Sequence, residues 1–253
     1  MYAKERRRVI IDLLYSEGRV AVSDLAIRFD VASETIRRDL DALASADMLS
    51  RVHGGAIPRS TDPVEADLPT RLMTHTATKR RIAAVAARYL PSAPGGSVLL
   101  DAGSTTVELA SYLHGHGLRV ITNGLPVAEA LVQLEAPGLH ILPGNVRGIT
   151  HAAVGSETVA ALGRLHADVV FIGCNGFGEY GLSTQDPDEA ATKSALVAAA
   201  ELRVVVADSS KFAKRQLVTF AQLSDIDVLV TDTDLPDDRG SELERAGIEV
   251  VRA

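Results

Sequence analysis

Three groups of residues in this 253-residue chain combine types and spacings that can do chemistry. The first is Asp101-Ala-Gly-Ser-Thr-Thr106. Gly103 lets the backbone approach a ligand closely, and the amides after it, with the Ser104, Thr105 and Thr106 hydroxyls, can hold an anion such as phosphate at a helix start. Capping a turn needs one hydroxyl, so three point beyond capping. The second group pairs carboxylates with cations: Asp208-Ser-Ser-Lys211, and Glu189 four residues before Lys193. Such sets fix polar ligands or transfer protons, although Glu189 and Lys193 also fit a plain i,i+4 surface pair. Thr122-Asn-Gly124, Pro143-Gly-Asn-Val-Arg147 and Gly173-Cys-Asn-Gly176 add polar turns, with Arg147 a source of charge for an anion. None of these is the G-x-x-x-x-G-K-[ST] loop, and residues 180–184 after the last turn read as extended, which argues against a dinucleotide fingerprint. His114-Gly-His116 has no Cys or carboxylate beside it and reads as a loop, with no metal site expected.

The third group has another chemistry. In Ser33-Glu-Thr-Ile-Arg-Arg-Asp-Leu40 and on to Leu43, Ile36, Leu40 and Leu43 share one helical stripe. Glu34, Arg37, Arg38 and Asp41 fall opposite. Ser33 has the type of an N-cap, which puts Glu34, Thr35, Arg37 and Arg38 in the first turns, the end that enters a major groove in a helix-turn-helix. An arginine bidentate to guanine is the commonest specific base contact, so Arg37 and Arg38 are first choices for readout. By themselves these residues fit an ordinary amphipathic surface helix equally well.

The elements that must position these groups follow from periodicity. A helix over 4–15 is expected to end at Gly18, and a second over 24–29 to be capped by Ser23. Residues 48–57 read as a hairpin whose Arg51 and His53 reach phosphate or the minor groove. Residues 58–75 are rich in Pro, Ser, Thr and Asp and read as a linker between a domain at 1–57 and another at 76–253. The second begins with a helix over 78–90. Strands at 97–100, 119–122, 139–142, 168–173, 203–207, 227–230 and 248–251 then alternate with helices, which predicts an α/β domain with a mainly parallel sheet. Ligands belong at the carboxyl ends of such strands, where the polar groups above lie.

Composition narrows the class. Hydrophobic residues make up 46% of the chain, enough for real cores, and Cys174 is the single cysteine, which leaves no disulfide framework and suits the cytoplasm. Residues 1–8 are charged and run into a helical pattern without the apolar core of a signal peptide, and the lack of an apolar run of eighteen or more residues argues against a membrane span, so a cytoplasmic protein is expected. The net charge of −7 conceals an uneven distribution: residues 1–57 carry nine Lys/Arg and nine Asp/Glu. DNA binding by this neutral segment must therefore rest on where its arginines are placed, not on bulk attraction.

Taken together, Arg6-x3-Ile10-x3-Leu14, Ala32-x2-Thr35-Ile-Arg-Arg-Asp-Leu40 and His53-Gly-Gly-Ala56 resemble the winged helix-turn-helix of DeoR-family transcription regulators. Residues 100–106, 122–128, 171–173, 181–184, Glu189 with Lys193, and 207–212 resemble the effector domain of the same family. The resemblance implies a fold similar to ribose-5-phosphate isomerase and a regulator, most often a repressor of a sugar-metabolism operon, controlled by a phosphorylated sugar. It presents Ser33, Glu34, Thr35, Arg37 and Arg38 to operator DNA. It assigns phosphate to Gly103 through Thr106, and sugar hydroxyls to Thr122, Asn123 and Asn175. Asp101, Glu189, Lys193, Asp208 and Lys211 fix the sugar, with Gly144, Arg147, Gly173 and Gly176 in the surrounding turns. Pro143-Gly144, Gly124 and Lys193-Ser194 depart from the family's usual Gly-Gly, Ser and Lys-Arg.

Two functions compete at this level. One is a ligand-controlled regulator without cofactor or catalysis, acting as a homo-oligomer, dimer or higher, whose symmetry sets the spacing of its recognition helices. The other is a sugar-phosphate isomerase-like enzyme, with Asp101, Asp208, Glu189 and Lys193 as acid–base groups and an accessory N-terminal domain.

Overall fold

The computed structural model describes residues 6, 7, 9–11, 13, 14, 19–45, 49–52, 54–58, 65–134 and 138–253. The chain divides into two compact units, residues 1–64 and 65–253.

In the first unit the described residues between 6 and 14 are helical. Helix Val22–Phe29 follows, and Asp30 stops it in a left-handed conformation, its amide donating back to Ile27. Helix Ser33–Ser45 comes next. Ile10, Leu14, Leu25, Ile36, Leu40 and Leu43 close one apolar core beneath these elements. Two expected caps are corrected. Ser33 is the first helical residue, and the Ala32 carbonyl accepts from the Thr35 amide. Ser23 lies inside its helix and donates to the Asp24 carboxylate, while Ala21 occupies the cap position.

The expected hairpin forms from Leu49–Val52 and Gly55–Pro58, with Arg51 opposite Ala56. Val20–Ala21 adds a third strand along Gly55 and Ala56. That approach explains Gly55, because a Cβ there would meet the Val20 carbonyl oxygen at 2.0 Å. His53 lies outside the described residues.

The second unit is built on seven parallel strands. Across the sheet they run Glu249–Arg252, Val228–Thr231, Ala200–Val206, Ala167–Ile172, Ser97–Leu100, Arg119–Thr122 and Leu139–Ile141. In chain order the sheet reads 3-2-1-4-5-6-7, so its direction of winding reverses between Ser97–Leu100 and Ala167–Ile172. Two apolar clusters coat its faces, one around Leu99, Val170, Ile172 and Leu196, the other around Ile82, Leu100, Phe171 and Val204. Neighbouring residues of the central strands point to opposite faces, which is why these strands are apolar almost throughout. At the amino end, Ser97 donates its amide and hydroxyl to Asp168, 2.6 and 2.7 Å away, which ties the two central strands together. A small antiparallel sheet of Gly176–Gly178, Gly181–Thr184 and Val218–Ala221 lies alongside in the chain's topology.

Part of the proposed linker is folded. Residues 65–75 belong to the second unit: Asp67 caps helix Leu68–Met73 through the Thr70 amide, Leu68 is buried, and its amide donates to Ile149. The Pro- and Thr-rich composition that suggests a linker also makes good helix starts, with Asp at the cap and Pro just inside. Residues 59–64 lie outside the described set. No helix among the described residues is long and apolar enough to cross a membrane.

Candidate functional site

Four strand ends supply the site. Asp101 follows Ser97–Leu100, Gly173 follows Ala167–Ile172, Thr122 ends Arg119–Thr122, and Asp208 comes two residues after Ala200–Val206. The reversal of winding parts the loops after the first two strands, which is where an open α/β sheet makes room for a ligand.

At that reversal Asp101 is buried and accepts from the Lys193 ammonium and, at 3.1 Å, from the Gly173 amide. The same ammonium donates to the Gly173 carbonyl at 2.9 Å and sits 5.6 Å from the centre of the Phe220 ring. Burial pushes the Asp101 carboxyl above its ordinary range, against the pull of Lys193 and the Gly173 amide. Lys193 and Glu189 come from helix Pro187–Ala198, and both are buried, so the surface-pair reading is wrong. They face different partners. Glu189 lies 3.5 Å from Arg147 and accepts from Thr184 at 3.1 Å.

Arg147 is the centre of a second network. Its guanidinium meets Glu65 at 2.6 Å, Asp186 at 3.1 Å and Glu189 at 3.5 Å. Asn175 joins it, donating to Glu65 at 3.4 Å and accepting from Thr184 at 3.3 Å. Asp186 also caps the helix that carries Glu189 and Lys193, through the Glu189 amide. Burial works against the Arg147 charge, but its close contact with Glu65 and the charges of Glu189 and Asp186 outweigh it and hold the guanidinium more firmly protonated.

A third group collects around Asp208, which is 3.9 Å from Lys211 and accepts from the Ser210 hydroxyl. Burial alone would raise the Asp208 carboxyl, yet Lys211 and Ser210 bring it below the usual carboxylate range. Burial pushes the Lys211 ammonium down. Lys79 is buried nearby on helix Thr76–Ala86 and donates to the Arg71 carbonyl and, at 2.7 Å, to the Thr74 carbonyl. Burial, reinforced by Lys211, lowers its ammonium to about 8.

The remaining expected residues divide. Ser104, Thr105 and Thr106 start helix Ser104–Ala110 and are all buried, but the Thr106 hydroxyl is engaged by the carbonyls of Asp101 and Gly103, at 2.7 and 2.8 Å. Thr122 donates to the Leu100 carbonyl and accepts from the Gly124 amide. Asn123 bridges the Ala102 amide and the Ala153 carbonyl. Both side chains therefore hold the loops together. Packing likewise accounts for two glycines: a Cβ on Gly144 would meet Thr158 at 2.1 Å, and one on Gly176 the Lys214 carbonyl at 2.0 Å.

In the first unit, helix Ser33–Ser45 buries Ile36, Asp39, Leu40 and Leu43 and turns Ser33, Glu34, Arg37 and Arg38 outward, with Thr35 half-buried. Glu34 lies 3.4 Å from Arg37 and 3.8 Å from Arg38, exposed contacts that are weak and easily exchanged. Asp39 instead anchors Arg6 and Arg7, at 2.5 and 2.8 Å, and so fastens the helix to the first one. Arg51 is already engaged. It pairs with Asp41 at 2.9 Å and donates to the Gly55 carbonyl, which fixes the hairpin against the helix.

Sequence reasoning misses Glu65, Arg71, Lys79, Thr184 and Asp186 as members of these networks. A signal existed for two. Lys79 falls on the stripe of Ile82, Ala83 and Ala86, and Asp186 precedes a proline in the manner of a helix cap.

An exposed polar helix face beside a hairpin wing, and a second unit whose charged groups gather where a parallel sheet reverses, define a winged helix-turn-helix protein with an α/β second unit. Residues 6–61 match the DeoR-like helix-turn-helix domain and residues 74–233 the DeoR C-terminal sensor domain. The chain belongs to the DeoR family of transcriptional regulators. It is 34% identical over 251 residues to a putative aga operon transcriptional repressor of Escherichia coli O157:H7, covering 98% of this chain and 93% of that one. It is 34% identical to the regulator GlpR of Haloferax volcanii, over 99% and 98% of the two chains. The glycerol-3-phosphate regulon repressor of Escherichia coli K12 is 32% identical over 93% of each. A solved ribose 5-phosphate isomerase A from Methanocaldococcus jannaschii matches 54% of each chain at 18% identity with a TM-score of 0.39, a likeness too low to bear on function.

Proposed function

We propose that this chain is a cytoplasmic repressor of a sugar-metabolism operon, released from its operator when a phosphorylated sugar binds the second unit. The observation that carries the DNA half is the exposed polar start of helix Ser33–Ser45 over a fully buried apolar stripe. Arg37 and Arg38 read base edges, with Ser33, Glu34 and Thr35 beside them. Arg51 serves as a wing support that adds a phosphate contact if Asp41 releases it.

The sensor half rests on two charged clusters, Asp101 with Lys193 and Gly173 at the winding reversal, and Arg147 with Glu189, which share helix Pro187–Ala198. Asp101, Glu189 and Asn175 address sugar hydroxyls, and Lys193, Arg147 and Lys211 address negative charge. Gly103, Ser104 and Thr105 supply the phosphate turn, while Thr106, Thr122 and Asn123 shape it. The isomerase-like alternative is not favoured, because the named relatives are regulators over nearly their whole lengths. A homo-oligomer, dimer or higher, presents two recognition helices to successive major grooves.

The test is a mobility shift with DNA from upstream of the protein's own gene, with and without a panel of sugar phosphates. One member of the panel is expected to weaken the complex. Unchanged complexes across the panel, with no change in thermal stability, would contradict the sensor assignment.

A further inference from the structure

Glu65 lies inside the sensor site although it is the first residue of the second unit, directly after the segment that leads from the DNA-binding unit. Its side chain is only 3% exposed, and its Oε2 sits 2.6 Å from Arg147. That oxygen is buried without an aligned hydrogen-bond donor. Its other oxygen has only long contacts, 3.4 Å to Asn175 and 3.9 Å to Arg71. A buried carboxylate so poorly satisfied is held by charge, not by fitted hydrogen bonds, and is correspondingly replaceable.

Arg147 is also over-subscribed, with Glu65, Asp186 and Glu189 around a single guanidinium. Asp186 and Glu189 are fixed at the start of helix Pro187–Ala198, one as its cap. Glu65 precedes the helix Leu68–Met73, in non-helical backbone. Asp186 is tied to its helix as the cap and Glu189 also accepts from Thr184 at 3.1 Å, whereas the Glu65 carboxylate caps no helix and, among the described residues, accepts only the 3.4 Å bond from Asn175.

We infer that Arg147 and Arg71 form an anion seat distinct from the phosphate turn at residues 103–105, for a phosphate or carboxylate, and that Glu65 occupies it as an internal surrogate until an anionic group of the effector displaces it. This rests on the sensor assignment above and adds a route for the signal. An arriving anion takes the guanidinium contacts, the Glu65 carboxylate is repelled into water, and the chain entering the second unit is freed. Because Glu65 is covalently next to the connecting segment, effector affinity and operator affinity are coupled through its position. A ligand can shift that equilibrium only by its preference for the displaced state.

The probe is inorganic phosphate, titrated against the full chain with thermal stability as readout, for the parent, Glu65→Gln and Glu65→Asp. Removing the competing charge in Glu65→Gln is expected to lower the half-saturating phosphate concentration about tenfold, while Glu65→Asp, which keeps the charge, stays close to the parent. Hydrogen exchange in the unmutated chain gives a second readout, independent of any folding defect in the variants. Phosphate is expected to speed exchange at the Leu68 amide, which donates to Ile149. Equal phosphate affinity in parent and Glu65→Gln, or exchange at Leu68 that phosphate slows or leaves unchanged, would overturn the displacement. If sugar phosphates still alter operator binding in that case, the sensor assignment stands without it. If neither phosphate nor any sugar phosphate acts on parent or variants, both fail.

Discussion

Asp101 and Lys193, 92 residues apart in the chain, meet as a buried ion pair at the point where the parallel sheet reverses its winding. Both also grip Gly173, so one carboxylate, one ammonium and the two peptide groups flanking Gly173 lock the two central strand ends together. Leaving one member of such a pair unpartnered costs about 3–5 kcal/mol. Lys193→Met and Asp101→Asn are each expected to lose stability in chemical denaturation, because each leaves the other partner's buried charge uncompensated. The double variant is expected to be less destabilised than the two losses added together. Strict additivity would show that the two groups do not act as a pair.

Arg37 carries the DNA prediction. Arg37→Ala is expected to weaken specific operator binding by about 1–3 kcal/mol and leave effector affinity unchanged. Anisotropy titrations on operator and scrambled DNA distinguish its roles, since an equal loss on both would make Arg37 a phosphate contact.

The same face shows what was legible in the sequence and what was not. Ile36, Leu40 and Leu43 announce the buried stripe by spacing alone, and the strands betray themselves as short apolar runs. Cap residues were less readable. Ser23 and Ser33 have the right chemistry, but neighbouring backbone carbonyls take the first helical bonds, so type did not decide position. Glu189 and Lys193 were visible as a pair by spacing, yet their actual partners, Arg147 and Asp101, are set by strand order that periodicity does not encode. Glu65 and Arg71 were hidden for a related reason: they sit in a Pro- and Thr-rich stretch whose composition resembles a linker, and only tertiary packing reveals their burial.

Lys79 makes stability depend on pH in the alkaline range. Its ammonium is buried and lowered from 10.5 to about 8. Below pH 8 it is charged in both folded and unfolded chains, and the burial penalty applies in full. Between pH 8 and 10.5 the folded chain releases the proton while the unfolded chain keeps it, so stability rises with pH. A displacement of that size is worth on the order of 3 kcal/mol. Denaturation across this range is expected to show a rise from this group that Lys79→Met lacks. Parallel curves would mean that the Arg71 and Thr74 carbonyls keep the lysine charged.

Cys174 follows the last residues of a central strand and is 1% exposed, and burial pushes its thiol up to about 11. At pH 8 roughly one thiol in a thousand would then be ionised, and the thiolate is the reactive form. A disulfide reagent is expected to leave the native protein unmodified and to titrate one thiol after denaturation. Rapid native reaction would show that this strand end opens to solvent.

The central claim is that operator and sugar phosphate act on one chain through linked equilibria. Calorimetric titration of the effective sugar phosphate into the protein, free and operator-bound, tests it most directly. Affinity for the sugar phosphate is expected to fall on the operator complex by about 5- to 150-fold, the same factor by which the sugar phosphate weakens operator binding. Equal sugar-phosphate affinity in the free and operator-bound protein would contradict it.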